Sequence, residues 1–157
     1  MNGTYTLPLD TTESSLELLG GKGRSLARLA AAGLAVPSGF HVTASAYRRF
    51  VEENDLQARI LDLAKPEITG RTLSFDAASA AIQALFEEAE PPELIVSEIR
   101  EAYAALSGDG PAVAVRSSAN AEDLPDMSFA GQQDTYLNVR GENALIAAVR
   151  DCWSSLW

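Results

Sequence analysis

Residues 113 to 139 read VAVRSSANAEDLPDMSFAGQQDTYLNV, and this stretch limits the fold more tightly than any other. An apolar, β-branched run, Val113-Ala114-Val115, meets Arg116. An alternating run, Thr135-Tyr136-Leu137-Asn138-Val139, closes the stretch. The first run reads as a buried strand and the second as its neighbour, so residues 113–117 and 134–139 are expected to pair. Residues 118–131 between them are mostly small, acidic or amide-bearing, and are expected to form an exposed loop. So long a loop in a compact domain points to function rather than mere connection. Arg116 sharpens the point, because a guanidinium at the end of a buried strand needs an anionic partner. That partner is either an internal carboxylate, Glu122, Asp123 or Asp126, or a phosphate gripped through two N–H bonds. Ser117, Ser118, Ser128, Ala130 and Gly131 are small enough for backbone amides to reach a ligand. The loop could then close over a phosphate chain as a lid.

A second stretch carries a matching signal. Gly20-Gly21-Lys22-Gly23 precedes helically spaced Leu26, Leu29 and Ala30. The glycines let backbone approach a ligand, and Lys22 stands where a helix begins, beside unpaired N–H groups and a partial positive charge. The pattern is not a P-loop, since GxxxxGK[ST] is absent. Taken alone, a flexible turn with an exposed lysine is the more common meaning of such a tetrapeptide. Gly33 reads as the helix stop, with Pro37 beyond it.

The rest of the chain supplies a scaffold. Residues 4–9 fit a short edge strand, and VPSGFHV leads into a short extended segment. Thr43 is expected to cap a helix bearing Ala46, Tyr47, Phe50 and Val51. The middle reads as helical. Leu56, Ile60, Leu61 and Leu63 mark one helix, and Ile82, Leu85 and Phe86 mark another that Asp76 caps. Leu94, Ile95, Ile99, Tyr103 and Leu106 mark a third, which opens on Pro91-Pro92 and ends at Gly108. Glu87, Glu88 and Glu98 read as a solvated face. A last helix carries Leu145, Ile146, Val149, Trp153 and Leu156. The fold class is α+β, a small, mostly antiparallel sheet packed with helices, in one domain over residues 1–157.

Charge and composition exclude several roles. The 157 residues carry a net charge of −10, which argues against a nucleic-acid or anionic-membrane surface. A small anionic ligand needs only a local cluster of cations and N–H groups. No run of about 18 apolar residues suggests a membrane span, and the N-terminus has no secretory pattern. The single cysteine, Cys152, excludes an internal disulfide and reads as a small buried residue. A cytoplasmic location follows as an expectation. His41, the single histidine, lies between Phe40 and Val42 and reads as structural. Trp153, Leu156 and Trp157 at the chain's end either pack back on the core or belong to a longer protein, and the second is expected.

The segments GGKGRSLARLAAAGLAVPSGFHVTASAYRRF and VAVRSSANAEDLPDMSFAGQQDTYLNVRG resemble the N-terminal nucleotide-binding domain of phosphoenolpyruvate synthase, pyruvate phosphate dikinase and rifampicin phosphotransferase. The resemblance covers residues 15–54 and 111–157. It implies the first subdomain of an ATP-grasp fold, with ATP and magnesium held against a second subdomain. Lys22 and Arg116 would contact the ATP phosphates, and Ser128, Phe129, Ala130, Gly131 and Gln132 would cover them. The family's phosphohistidine lies on a separate swivelling domain, so no catalytic or metal-ligating residue is expected in this chain. One departure is Asn120, where RSSANAED replaces RSSATAED; asparagine keeps a polar side chain. The acceptor would be pyruvate, with a rifamycin as the alternative. A stand-alone, non-catalytic nucleotide-binding module is a reading of another class. It requires Trp153, Leu156 and Trp157 to be buried, whereas a piece of a longer protein leaves them as an exposed patch.

Overall fold

The computed structural model describes residues 4–13, 15–65, 67–69, 72–106, 108, 110–118 and 134–157. Their elements run β1 (Thr6–Pro8), α1 (Leu16–Ala31), β2 (Phe40–Val42), α2 (Ala44–Glu53), α3 (Leu56–Leu63), β3 (Glu67–Thr69), β4 (Thr72–Ser74), α4 (Asp76–Glu88), α5 (Glu93–Ala104), β5 (Val113–Arg116), β6 (Thr135–Val139) and α6 (Glu142–Ser154). The class is α+β, as expected. The single small sheet is not. The described strands form three separate antiparallel pairs, β1–β2, β3–β4 and β5–β6. The β3–β4 pair lies in the middle stretch that reads as helical, since EIT and TLS are too short to show a period of two.

The β5–β6 pairing holds, with Arg116 opposite Thr135, Val115 opposite Tyr136, and an irregularity between Val113 and Val115. Strand β5 is half-buried rather than fully buried. Val113 and Val115 face inward, while Ala114 and Arg116 are exposed. A two-stranded ladder has only one face to cover, which removes the demand that its arginine be desolvated. The 118–131 loop expectation falls largely outside the described residues.

Apolar side chains of α2 to α6 meet in one core. Phe50 is fully buried, with its ring 5.6 Å from Phe86 and 5.0 Å from Trp153. Leu56, Ile60, Ile95, Ile99, Leu145 and Val149 surround these rings. Each such side chain contributes about 1.5–3 kcal/mol by leaving water. Helix α1 ends as expected. Gly33 takes φ 74°, its N–H bonds to Ala30 O, and Leu34 N–H bonds to Leu29 O, closing two orphan carbonyls.

Other local expectations shift. Thr43 occupies the cap position of α2, but its hydroxyl donates to Thr4 O at 2.9 Å instead of capping. Asp76 is the first helical residue, and its N–H is accepted by Ser74 Oγ at 3.2 Å. Pro92 precedes α5 instead of opening it, and α5 ends at Ala104, short of Gly108. Leu61 and Leu94 point to solvent. Glu98 is no solvated surface acid, because its Oε2 accepts Tyr5 N–H at 2.8 Å and Thr6 N–H at 3.0 Å, tying the N-terminal strand to α5. Trp153 is buried, while Leu156 and Trp157 are 39% and 40% exposed. Trp157 Nε1 donates to Tyr47 Oη at 3.2 Å.

Candidate functional site

Lys22 sits where α1 changes direction. Gly20 has φ 68° and ψ 178°, which breaks the helix after one short turn, and helical geometry resumes at Gly21. The glycines are therefore built into the helix rather than forming a flexible turn before it. Gly20, Gly21 and Gly23 are all buried. The reason lies at the other motif. A Cβ on Gly20 would overlap the Ser118 carbonyl oxygen and come within 2.5 Å of its hydroxyl. A Cβ on Gly23 would meet Leu19 Cβ at 3.1 Å and His41 Nδ1 at 3.4 Å. Glycine is required at 20 by both conformation and space.

The two motifs thus form one junction. Gly23 N–H donates to Ser118 Oγ at 2.9 Å, and Ser118 Oγ donates to Leu19 O at 2.8 Å. Lys22 Nζ donates to Ser117 O at 3.4 Å, across 95 positions of sequence. Arg116 is the residue before that carbonyl. It ends β5 and is exposed, and no side-chain hydrogen bond or ion pair holds it among the described residues. Two cations, one partly buried and one exposed, are therefore attached to adjoining points of the same backbone junction. Ser128, Phe129, Ala130, Gly131 and Gln132 lie outside the described residues, as do Glu122, Asp123 and Asp126.

His41 takes the structural role that its apolar neighbours suggest. It is buried against Gly23, and its Nε2 lies 3.3 Å from Leu9 O. Burial pushes its pKa down, partly offset by that backbone contact. Cys152 is buried on α6, and its Sγ lies 4.0 Å from Asp134 O. Burial, then the charges of Asp134 and Asp151, push its thiol up to about 12, while Lys22 pulls the other way. A thiol so shifted is protonated and inert at neutral pH.

Two surface hollows lie elsewhere. One, of about 310 Å³, lies between α5 and α6 beside Glu90, Glu93, Arg100 and Arg150. The other, of about 240 Å³, is lined by Glu87, Asp134, Tyr136 and Asp151. Neither touches Lys22 or Arg116. The first mixes both signs of charge and the second is lined by three carboxylates, Glu87, Asp134 and Asp151. Among the described residues, no cluster of three or more histidine, cysteine or acidic side chains could hold a metal ion. No helix among them is long and apolar enough to cross a membrane.

Sequence reasoning located both motifs but missed Ser118 as a hydrogen-bonding residue and Glu98 as an anchor. Neither leaves a local signal, because both act across more than 90 positions of chain.

Comparisons with known proteins agree with the two motifs. The family model described as the pyruvate phosphate dikinase AMP/ATP-binding domain matches residues 16–157. A probable phosphoenolpyruvate synthase of Methanocaldococcus jannaschii is 45% identical over 152 residues, covering 94% of this chain and 13% of the relative. The phosphoenolpyruvate synthase of Pseudomonas aeruginosa is 46% identical over 166 residues, covering 98% of this chain and 20% of the relative. That of Aeropyrum pernix is 42% identical over 153 residues, covering 94% and 19%. The chain therefore spans a fifth or less of the length of these relatives.

Proposed function

The chain belongs to the pyruvate phosphate dikinase AMP/ATP-binding domain family, and from that premise we propose that it is the ATP-binding part of a phosphotransferase of the phosphoenolpyruvate synthase type. In this reading the whole protein converts ATP, pyruvate and water to phosphoenolpyruvate, AMP and phosphate. The observation that carries the reading is the junction, where the Lys22 ammonium meets the carbonyl that follows Arg116. A lysine offers a mobile point charge and an arginine a planar pair of donors, a combination suited to a polyphosphate. Residues Ser128 to Gln132 would cover the phosphates as a lid. The chain would form the first wall of an ATP-grasp fold, with a second subdomain opposite.

Magnesium would lower repulsion among the phosphates, and the described residues provide no ligand set for it. Its carboxylates are assigned to the second subdomain, and the phosphohistidine carrier to a further domain. The names of the relatives above favour pyruvate over a rifamycin as acceptor. The cytoplasm is the expected compartment, in keeping with a lone buried thiol.

Arg116→Ala in the full-length protein tests the assignment. Loss of a charge-assisted contact of about 1.5–3 kcal/mol should weaken ATP binding roughly tenfold or more. Titration calorimetry and initial rates at varied ATP would show it. Unchanged affinity and kinetics would overturn the role given to Arg116.

A further inference from the structure

The part of α1 that carries Lys22 has no cap of its own. Gly20 stands just before its first turn, where a serine, threonine, aspartate or asparagine side chain ordinarily accepts an N–H of the second or third helical residue. Gly20 has no side chain, and its φ of 68° disfavours any other residue. Ser118 occupies the vacant place. Its Oγ lies 2.5 Å from where a Cβ of residue 20 would stand. Counted from Gly20, Gly23 is the third helical residue, and its N–H is the one Ser118 accepts at 2.9 Å. The hydroxyl proton goes to Leu19 O at 2.8 Å. The two bonds therefore grip the chain on both sides of Lys22, and the ammonium itself reaches the neighbouring Ser117 carbonyl. Helix starts whose N–H groups lack partners fray, and fraying here would move the base of the lysine side chain.

We infer that Ser118 is a positioning residue for Lys22: a helix cap supplied across the fold, which fixes the backbone from which the ammonium reaches a nucleotide's phosphates. The inference rests on the phosphate-binding reading above and adds to it a residue that need not touch the nucleotide.

A double-mutant cycle in the full-length protein, read by calorimetric titration with ATP, tests it. Lys22→Ala should weaken ATP binding about tenfold or more, Ser118→Ala about three- to tenfold, and the pair no more than about twofold beyond Lys22→Ala alone. Ser118→Thr, which keeps the hydroxyl, should restore most of the affinity. If Ser118→Ala weakens binding by the same factor with and without Lys22, the serine acts on the fold at large and the inference is overturned, while the phosphate reading stands. An unchanged affinity in Ser118→Ala beside a weakened Lys22→Ala has the same meaning. If Lys22→Ala binds ATP as well as the parent, the phosphate reading itself fails. Should Ser118→Ala lose its cooperative thermal transition, Ser118→Cys, of nearly the same shape but a poor hydrogen-bonding group, takes its place under the same criteria.

Discussion

Phe50 meets Phe86 and Trp153 ring to ring at 5.6 and 5.0 Å, whereas Ser118 meets Gly23 N–H and Leu19 O through single hydrogen bonds of 2.9 and 2.8 Å, with Gly20 packed against it. The first region is held by area and volume. Its attraction is non-directional, so many apolar residues of the right size could fill it. The second has almost no side-chain bulk to bury. It is held by the absence of a Cβ at Gly20 and by one hydroxyl that donates and accepts at once. A volume error in the core is spread over many contacts. At Gly20 a single methyl has nowhere to go, because the Ser118 backbone as well as its hydroxyl faces it.

The largest effect is expected in the core. Phe50→Ala removes a fully buried ring that touches two others and should cost about 3–5 kcal/mol in denaturant unfolding. A loss under about 1 kcal/mol would break the comparison, since the core would then not be held by volume.

The junction is sharpened by a pair of glycines with the same sign of φ. Gly33, at φ 74°, has nothing within 4 Å of its missing Cβ, while Gly20, at φ 68°, faces the Ser118 backbone. Gly33→Ala should cost only the left-handed conformation, about 1–2 kcal/mol. Gly20→Ala, at φ 68° and ψ 178°, a backbone region essentially confined to glycine, and against the Ser118 backbone besides, should cost more, and should also weaken ATP binding, which Gly33→Ala should leave alone. Equal losses in both would mean that the close approach of Ser118 contributes nothing.

The last effect is an alkaline one, at Cys152 on α6. Burial raises the folded-state pKa of Cys152 to about 12 from its ordinary 9.0. The unfolded chain therefore gives up this proton first as pH rises. The stability it contributes is fully present below about pH 9 and is lost between there and about pH 12. Thermal midpoints from pH 7 to 10.5 should fall at the alkaline end, and Cys152→Ala should fall less steeply. Identical slopes would place the thiol in contact with solvent.

Much of the fold was legible wherever side chains repeat at a helical period. Ile82, Leu85 and Phe86 on α4, and Leu145, Val149 and Trp153 on α6, are buried as that spacing requires. The β5–β6 pair was legible too, because a β-branched apolar run and a five-residue alternating run flank a long polar stretch. Leu61 and Leu94 were misread because an apolar residue at a helix margin satisfies the pattern whether or not anything packs on it. The β3–β4 pair was lost because three-residue strands are shorter than the window in which a period can be counted. Of the site, Lys22 and Arg116 stood out by their local settings, a helix start and a strand end.

The sequence alone determined the family, the helical scaffold and the two motifs, because each is written in neighbouring residues. Only the tertiary structure decided how the motifs meet. It set Gly20 against the Ser118 carbonyl, turned the Ser118 hydroxyl into a cap for a helix 95 positions away, and made Glu98 an anchor for the first strand. A hydrogen bond is satisfied by any donor and acceptor brought within about 3 Å, so nothing in the local sequence says which partner it will find. That choice belongs to the packing of the whole chain.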